Sequence, residues 1–365
     1  MLEPHLIAST KSPLIPIEQM SASFKPSYIA VLPLSYTSLP GPKAFSCLAL
    51  IDIADVPALG IDICLSRGDP YIIAAASLVL SLNTGLALAT TDYIVTVDAD
   101  TSLHKEAIAH LVTNITEGPI GTAAVAGNIL VRNSRDSLMS RMQEWEYFLS
   151  ISASKRSQSL LQGTLCAQGA ISVFDTEAVR EMGGWNVDAV GEDIVLTWGL
   201  QLKGYRVAYS EKAIAFTNVP TKYSQFFKQR ERWARGLIEA FKIYPGVIFR
   251  LKLTSPFIWA NVLLPLVDTV FLFAFMPGLI AAIFFGWYGI ASMMTLTVVP
   301  LIILLTFVMH IQHRRIFDGM GLMVRRNFVG LVFWAFTYMF WMCPATVSGY
   351  IKEVFKIGKK DWGTK

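Results

Sequence analysis

Short apolar runs alternate with segments of helical spacing over residues 45–220. Runs rich in β-branched and aromatic residues predict buried strands, and apolar residues three or four apart predict helices that cover a sheet. Strands are predicted at 47–53, 61–65, 93–97, 123–131, 169–174 and 206–209, and helices at 71–89 (with an interruption at 81–83), 103–112, 136–154, 175–183 and 194–203. This alternation predicts an α/β domain with a largely parallel sheet.

Before and after this domain the pattern changes. Residues 1–44 hold seven of the seventeen prolines and few charges, which predicts an irregular segment. Residues 221–255 form an amphipathic, basic stretch typical of a membrane interface. From 256 to 350, long apolar runs predict about three membrane-spanning helices, with a turn near 286–289 between the first two. A basic tail follows at 351–365.

The composition agrees with this division. Hydrophobic residues make up 53% of the 365 residues and charged residues only 16%, with a mean hydropathy of +0.47, which is too apolar for an ordinary soluble protein. The formal net charge of +4 is unevenly distributed: residues 221–252 carry eight Lys/Arg and two Asp/Glu, and residues 312–365 carry nine and three. Both basic blocks flank apolar segments, so a lipid bilayer explains them better than a nucleic acid does.

The membrane orientation stays open at this point. The arginine-rich loop before the third span should face the cytosol, and the lysine-rich tail prefers the same side. Three spans cannot place both there, so either one segment is re-entrant or interfacial, or the tail lies outside. Asp268, the only charge between 256 and 311, is a functional candidate or bonds a neighbouring helix. The four scattered cysteines form no C-x-x-C pair, which fits a reducing compartment.

Two aspartates, Asp98 and Asp100, directly follow the strand predicted at 93–97. In open α/β sheets ligands bind at the carboxyl ends of strands, so both carboxylates are expected where a ligand would lie. Two close carboxylates repel each other unless a cation lies beside them, and Mg²⁺ or Mn²⁺ takes such oxygens together with substrate phosphates. The pattern favours a metal–diphosphate site, although strands that end in an ordinary polar turn also carry aspartates.

Two adjacent acids, Glu192 and Asp193, lie at the start of the helix predicted at 194–203. The helix dipole favours acids there, so an ordinary N-terminal acid is the simpler interpretation of either residue alone. The preceding helix ends at Gly183 and Gly184, which suits a C-terminal cap. The alternative is that this loop presents the next residue, Trp185, to an acceptor.

The segment Gln229-Arg230-Glu231-Arg232-Trp233 places an amide, two guanidiniums and an indole within five residues of a helix. Arg230 and Arg232 could bind phosphate oxygens bidentately, and Trp233 could stack on a sugar ring. The alternative is an interfacial helix with an anchoring tryptophan and arginines that extend toward water.

These stretches occur in one order: Asp98-Ala99-Asp100, Phe174 with Gly183-Gly184-Trp185, Gly191-Glu192-Asp193, Gln229 to Trp233, then spans. In this order they resemble the processive family 2 glycosyltransferases, which include poly-N-acetylglucosamine, chitin, hyaluronan and cellulose synthases. Residues 82–89 and 229–236 look especially similar to the bacterial poly-N-acetylglucosamine synthases. The resemblance covers about residues 80–365. It implies an α/β nucleotide-diphospho-sugar transferase domain (GT-A-like) at 45–220, followed by transmembrane helices.

The resemblance also implies a reaction. A sugar, first of all N-acetylglucosamine, would pass from a UDP-sugar donor to a growing β-linked polysaccharide by inverting transfer that depends on Mg²⁺ or Mn²⁺. Asp98 and Asp100 would bind the nucleotide and metal, and Asp193 would be the general base. The remaining substrate-binding residues would be Trp185, Glu192, Gln229, Arg230, Arg232 and Trp233. The enzyme would be multi-pass in the plasma membrane with a cytosolic catalytic domain, with room for an accessory membrane subunit.

Two features depart from the family pattern. Gly191 stands where the polymerising enzymes usually have threonine. Residues 1–80 show neither the expected first strand with a polar end nor the Asp-Asp-Gly-Ser type of turn that holds the nucleotide base, and Asp52 and Asp55 are weak substitutes. Two alternatives therefore stay open. One is a transferase that adds a single sugar to a lipid, against which the Gln-x-x-Arg-Trp motif argues; the other is a non-catalytic membrane partner that retains the fold.

Overall fold

The computed structural model describes residues 29–34, 45–50, 78–98, 100–160, 163–249, 255–322 and 326–357. Its strands are β1 (Ile29–Leu34), β2 (Phe45–Leu50), β3 (Tyr93–Asp98), β4 (Ser102–Leu103), β5 (Thr122–Val131), β6 (Ile171–Asp175) and β7 (Arg206–Thr217). Its helices are α1 (Leu78–Leu88), α2 (Ala107–Thr116), α3 (Leu138–Tyr147), α4 (Ser154–Leu160), α5 (Thr176–Glu181), α6 (Glu192–Lys203), α7 (Tyr223–Ile243), α8 (Ser255–Val270), α9 (Met276–Phe285), α10 (Met293–Gly319) and α11 (Phe328–Val354). π-Helical turns at Phe148–Ala153 and Phe271–Phe275 join α3 to α4 and α8 to α9. The strand predicted at 61–65 lies outside the described residues.

The described strands form one sheet in the order β1-β2-β3-β6-β5-β7-β4. Within it, the β2–β3 and β5–β7 pairs are parallel and the other four neighbouring pairs are antiparallel. The expectation of a largely parallel sheet is therefore wrong. Two of the antiparallel pairs arise from the connection between β5 and β6. The helices in this connection return the chain to the end of the sheet at which β5 finishes, so β6 runs antiparallel to its neighbours β5 and β3.

Two further expectations need correction. β1 lies in the segment 1–44 that the proline content predicts to be irregular; it is an edge strand, in which Pro33 interrupts no central ladder. α1 runs unbroken through the interruption predicted at 81–83, because the side chain of Asn83 bonds outside its own helix. The Asn83 Nδ2 donates to the carbonyl of Trp185 (2.7 Å), and its Oδ1 accepts from the Trp185 amide (2.8 Å). Residues 71–77 of that predicted helix lie outside the described residues.

The sheet has a hydrophobic core on each face. The alternating side chains of β3 contribute to both: Ile94 packs with α1, α5 and α6, whereas Val95 and Val97 pack with α2 on the opposite face. On the neighbouring strand β6, Phe174 and Val173 divide between the two cores in the same way. The end of β3, which carries Asp98, is therefore held from both sides.

Two segments in the described parts of the chain are long and apolar enough to cross a membrane. They are Ser255–Phe285, which comprises α8, its π-helical turn and α9, and Phe328–Val354, which is α11. Large apolar side chains on α8 to α10 are exposed, including Phe273, Phe284 and Leu301. A surface with this many exposed apolar side chains is unfavourable in water and marks a contact with a membrane or another protein.

α11 connects these apolar helices to α7. A Cβ at Gly349 would lie 2.5 Å from the carbonyl oxygen of Glu231, so the two helices approach at a distance that only glycine permits. Ion pairs extend the contact, with Lys352 Nζ 2.8 Å from Glu231 Oε2 and Arg235 Nε 3.5 Å from Glu353 Oε2. The position of α7 therefore depends on α11.

Asp268 of α8 is 1% exposed and also bonds to α11. Its Oδ2 accepts hydrogen bonds from Thr346 Oγ1 (2.8 Å) and Tyr350 Oη (2.9 Å), and its Oδ1 lies 3.6 Å from the thiol of Cys343. All three donors belong to α11. Of the two interpretations of Asp268, the structure supports the hydrogen bond to a neighbouring helix.

Candidate active site

Asp98 and Asp100 lie at the carboxyl end of β3. The amide of Asp98 donates to the carbonyl of Ala170 (3.4 Å), just before β6 begins. Asp100 is exposed, and its Oδ1 accepts a hydrogen bond from Thr217 Oγ1 (3.2 Å) at the end of β7. A Cβ at Gly169 would lie 3.6 Å from the Asp98 Oδ1, so a small residue borders this carboxylate. Both acids thus lie where the ends of β3 and β7 meet the start of β6.

Glu192 and Asp193 occupy the first turn of α6 and have different surroundings. Glu192 is 5% exposed, and its Oε2 has no hydrogen-bond partner among the described residues. Burial, followed by the charge of Asp193, raises the pKa of Glu192 well above its ordinary value; Arg232 opposes this rise and Asp98 adds to it. These electrostatic effects indicate that the acids of α6, Asp98 of β3 and Arg232 of α7 lie near one another.

Asp193 is only half-buried and is oriented by two hydrogen bonds. Its Oδ1 accepts from the amide of Ile194 (2.7 Å), and its Oδ2 accepts from the thiol of Cys166 (3.3 Å). Burial, with the Asp193 charge second, raises the pKa of the Cys166 thiol well above its usual range, so this thiol remains a donor. A half-buried carboxylate in a fixed orientation suits proton abstraction better than its fully buried neighbour Glu192 does.

A buried cation supports this loop. Lys155 of α4 is 8% exposed and donates from Nζ to the carbonyl of Cys166 (2.8 Å). Burial lowers the pKa of Lys155, and the nearby Cys166 and Asp193 partly oppose that effect. Lys155 therefore holds the loop whose thiol contacts Asp193.

Two glycines bring α7 against the start of α6. A Cβ at Gly191 would lie 2.7 Å from the Cα of Gly236, and a Cβ at Gly236 would lie 2.8 Å from the Cα of Gly191. On the same face of α7, the buried carboxylate of Glu239 accepts from the amides of Val190 (2.6 Å) and Gly191 (3.4 Å). α7 thereby fixes the turn that carries Glu192 and Asp193.

The two arginines of the α7 motif point in different directions, because residues two apart on a helix are about 200° apart around its axis. Arg232 acts electrostatically on Glu192 and Tyr147 and so faces the site. Arg230 is 2% exposed, and its Nη2 lies 2.7 Å from Oε2 of Glu146 on α3. The guanidinium of Arg230 thus forms a buried ion pair, and a contact between Arg230 and a diphosphate stays a prediction.

Trp233 is accessible and Gln229 contributes an unoccupied acceptor. The Trp233 side chain is 42% exposed, and the guanidinium carbon of Arg230 lies 3.9 Å from its ring centroid. The ring centroids of Tyr147 and Trp233 are 6.3 Å apart. Burial raises the pKa of the Tyr147 hydroxyl to about 12. The Oε1 of Gln229 is buried without a hydrogen-bond partner among the described residues. The motif therefore offers an aromatic surface and a polar acceptor.

Trp185 lies in the hydrophobic core. Its indole is 3% exposed and packs edge-on against Phe174, with ring centroids 5.5 Å apart, inside the core. Gly183 adopts a φ of +80° after α5, which favours the helix-cap interpretation of this loop. The surface of Trp185 is used by the core, and its contact with an acceptor stays a prediction.

A family model described as "Glycosyl transferase family group 2" matches residues 93–347, the region that contains the strand-end aspartates, the acids of α6 and the motif of α7. The chain belongs to this family. Two curated relatives of this glycosyltransferase family member are poly-beta-1,6-N-acetyl-D-glucosamine synthases: one from Staphylococcus aureus (strain COL), 36% identical, and one from Staphylococcus epidermidis, 33% identical. Each match spans 156 residues and covers 43% of this chain and 37% of the relative. The chain thus matches little more than a third of the length of these relatives.

The fold agrees with the family. The mannosyltransferase PcManGT from Pyrobaculum calidifontis, solved in complex with GDP-Man and Mn2+, superposes with a TM-score of 0.50 at 17% sequence identity. The superposition covers 78% of this chain and 68% of the mannosyltransferase. The α/β domain of this family member is therefore GT-A-like, as its sequence predicts.

A divalent metal fits Asp98 and Asp100 only together with a ligand. No group of three or more His, Cys, Asp or Glu side chains that could hold a metal occurs among the described residues. Two carboxylates at a strand end leave most coordination positions to water and to substrate oxygens. Mg²⁺ is commonly bound in this way, through one or two carboxylates plus substrate phosphates. The donor set fits an ion that binds with a diphosphate.

Sequence reasoning missed five residues that shape the site, because separate elements bring them together: Glu146, Tyr147, Lys155, Cys166 and Glu239. One signal was present in the sequence. Glu146 lies four residues after Met142, on the apolar side of the predicted helix, and charges at such positions are rarely buried unless they have partners.

Proposed function

We propose that the chain is a membrane-bound, inverting, metal-dependent glycosyltransferase. It transfers N-acetylglucosamine from a UDP-sugar to the end of a growing β-linked polysaccharide. Membership of the glycosyltransferase family and similarity to the two staphylococcal synthases support the reaction class and the sugar. The proposed location is the plasma membrane with a cytosolic α/β domain, supported by the apolar segments and the basic residues beside them.

The observation that carries the proposal is the convergence of three elements on one site. β3 provides Asp98 and Asp100 at a sheet edge, α6 provides Asp193 in its first turn, and α7 provides Arg232. Glu192 lies within electrostatic range of Asp98, Asp193 and Arg232. A cation-binding pair, a base and a guanidinium are the groups that transfer from a nucleotide diphosphate requires.

In the proposed reaction, the carboxylate of Asp193 takes the proton of the acceptor hydroxyl. The hydroxyl oxygen bonds to the anomeric carbon while the bond from that carbon to the diphosphate oxygen breaks, so the electron pair leaves with UDP and the anomeric configuration inverts. Charge on the departing diphosphate is offset by Arg232 and, when bound, by a divalent cation at Asp98 and Asp100. Burial and the neighbouring acids raise the pKa of Glu192, which favours Asp193 over Glu192 as the base.

The acceptor is proposed to bind at Trp233. An exposed indole can stack on the apolar face of a pyranose ring, and Trp233 lies one residue after Arg232 on α7. The terminal sugar would therefore be held beside the leaving diphosphate. The helix α7 also contacts α11, which is long and apolar enough to cross a membrane, and this contact supports passage of the product toward the bilayer.

The test uses the full chain purified in detergent, with a panel of UDP-sugars and Mn²⁺ or Mg²⁺. UDP release and product size are followed together. We expect UDP-N-acetylglucosamine to be turned over into a ladder of products. One added sugar on a lipid would replace the polymerase with the single-transfer alternative, and absence of turnover with every donor would support the non-catalytic partner.

A further inference from the structure

Arg230 is an unusual member of the α7 motif because it does not face the active site. It is 2% exposed, and its Nη2 bonds to Oε2 of Glu146 (2.7 Å), itself 6% exposed. Its guanidinium carbon lies 3.9 Å from the ring centroid of Trp233 and 4.9 Å from that of Phe226. The charge is therefore paired on one edge and covered by aromatic rings on its faces.

The hydrogen bonding of Arg230 indicates what this group does. Nε and Nη1 have no hydrogen-bond partner within the described part of the chain. A guanidinium buried for its hydrogen bonds alone would not leave two donor atoms without partners. The guanidinium of Arg230, by contrast, lies against the rings of Trp233 and Phe226. Lysine would not reproduce this contact, because its ammonium is a compact point charge, whereas arginine stacks on aromatic rings. Stacking on Trp233 is the contact that this placement provides.

Glu146 also interacts with the membrane-type helix α11. The hydroxyl of Tyr338 lies within interaction range of the Glu146 carboxylate. Glu146 belongs to α3, Arg230 and Trp233 to α7, and Tyr338 to α11. One buried ion pair thus links three elements to the indole at the site.

We propose that Glu146 and Arg230 are positioning residues for Trp233: the ion pair holds the guanidinium against the inner face of the indole, and the exposed remainder of the ring forms the surface on which the acceptor sugar stacks. Tyr338 completes the pair from α11. The orientation of the acceptor surface then depends on the apolar helix α11 as well as on α7. The assignment of the acceptor to this surface rests on the proposed function, whereas the control of the indole by Arg230 does not.

The decisive variant is Arg230→Lys in the full chain, which keeps the charge and loses the planar stack. Its matched control is Arg235→Lys, since Arg235 is also buried on α7 and paired with a glutamate, Glu353 of α11. We expect Arg230→Lys to raise the KM for an N-acetylglucosamine oligosaccharide about tenfold and to shorten the products, with UDP affinity within about twofold of the parent. Arg235→Lys should leave product length unchanged.

Hydroxyl-radical footprinting with peptide mass spectrometry tests the positioning without any sugar. Opening the inner face of the indole should raise the oxidation rate of Trp233 severalfold in Arg230→Lys and leave it unchanged in Arg235→Lys. An unchanged rate in Arg230→Lys would overturn the proposal, whatever the enzyme makes. A parent without transferase activity, combined with the expected footprint, would instead overturn the acceptor role alone.

One further variant tests the proposal if Arg230→Lys does not fold. Tyr338→Phe removes a single hydroxyl from the edge of the cluster and should shift the acceptor KM and the footprint in the same direction by a smaller factor. In a Trp233→Ala background, Arg230→Lys should shorten the products no further, because it acts through the missing ring. Loss of UDP affinity with normal product length in Arg230→Lys would instead make Arg230 a diphosphate ligand.

Discussion

Glu192 of α6 and Asp268 of α8 are both removed from water but differ in their partners. Asp268 is bonded by Thr346 and Tyr350 and approached by a thiol of the same helix. Glu192 is nearly as buried, yet its Oε2 has no hydrogen-bond partner among the described residues, and other charges surround it. The free-energy cost of burying a carboxylate is small when the carboxylate has hydrogen-bond partners and large when it has none. Burial alone therefore does not identify a functional acid; incomplete bonding among other charges does.

Of the substitutions that test this comparison, Asp193→Asn is expected to have the largest effect on turnover. Loss of the base should lower turnover by about 10²–10⁴-fold, because proton abstraction contributes that much to such reactions. UDP affinity should stay close to that of the parent, since Asp193 is proposed to act on the acceptor. Initial rates of UDP release and calorimetric UDP binding measure the two effects. Retention of most turnover would move the base elsewhere, and Glu192 would be the first residue to test.

Asp100→Asn should weaken metal-dependent donor binding. The substitution removes one of two carboxylates proposed to hold the cation, so Mn²⁺ should no longer strengthen UDP binding, and transfer should stop. UDP titrations with and without Mn²⁺, on protein that still inserts in membranes, provide the measurement. Metal-dependent binding equal to that of the parent would exclude Asp100 as a ligand.

Asp268→Asn should affect stability and leave chemistry unchanged. Weakening its bonds to α11 is expected to cost about 1–3 kcal/mol of stability. Thermal unfolding in detergent should show a lower midpoint, with normal turnover per folded molecule. Thr269→Val is the matched control, because Thr269 bonds within its own helix, to the carbonyl of Pro265 (2.6 Å). Lost turnover in Asp268→Asn with an unchanged midpoint would mean that Asp268 serves function after all.

Glu192→Gln should have the smallest effect, visible mainly as a change in pH dependence. The pKa of Glu192 is raised in the folded state by burial, Asp193 and Asp98, against the opposing Arg232. Its protonated form therefore adds stability that is complete below the ordinary glutamate pKa and is lost as pH rises through the folded-state pKa. The variant cannot ionise there, so its unfolding midpoint should fall less than that of the parent as pH rises. Parallel pH profiles of the two proteins would contradict the raised pKa.

The sequence predicts the parts of the site that one segment determines. Asp98 and Asp100 follow an apolar run, and such runs end at a sheet edge in α/β proteins. Glu192 and Asp193 precede a periodic segment, and they do form the first turn of α6. In each case local pattern alone decides the placement.

The sequence does not predict what packing between segments decides. Motif composition suggests that Arg230 and Arg232 act together, but helical geometry directs Arg230 toward Glu146 of α3. Composition likewise suggests an exposed Trp185, whereas Asn83 of α1 holds its backbone in the core. The thiol beside Asp193 comes from a loop that no spacing connects to α6.

The contact between Gly191 and Gly236 sets the spacing between the start of α6 and α7. Two backbones that touch without side chains cannot move closer, and any side chain at either position would force them apart. The spacing between the helix that carries Asp193 and the helix that carries Trp233 is thus limited by bare backbone. If the acceptor binds between these helices as proposed, a thin, unsubstituted chain end suits this spacing better than a branched or substituted sugar does.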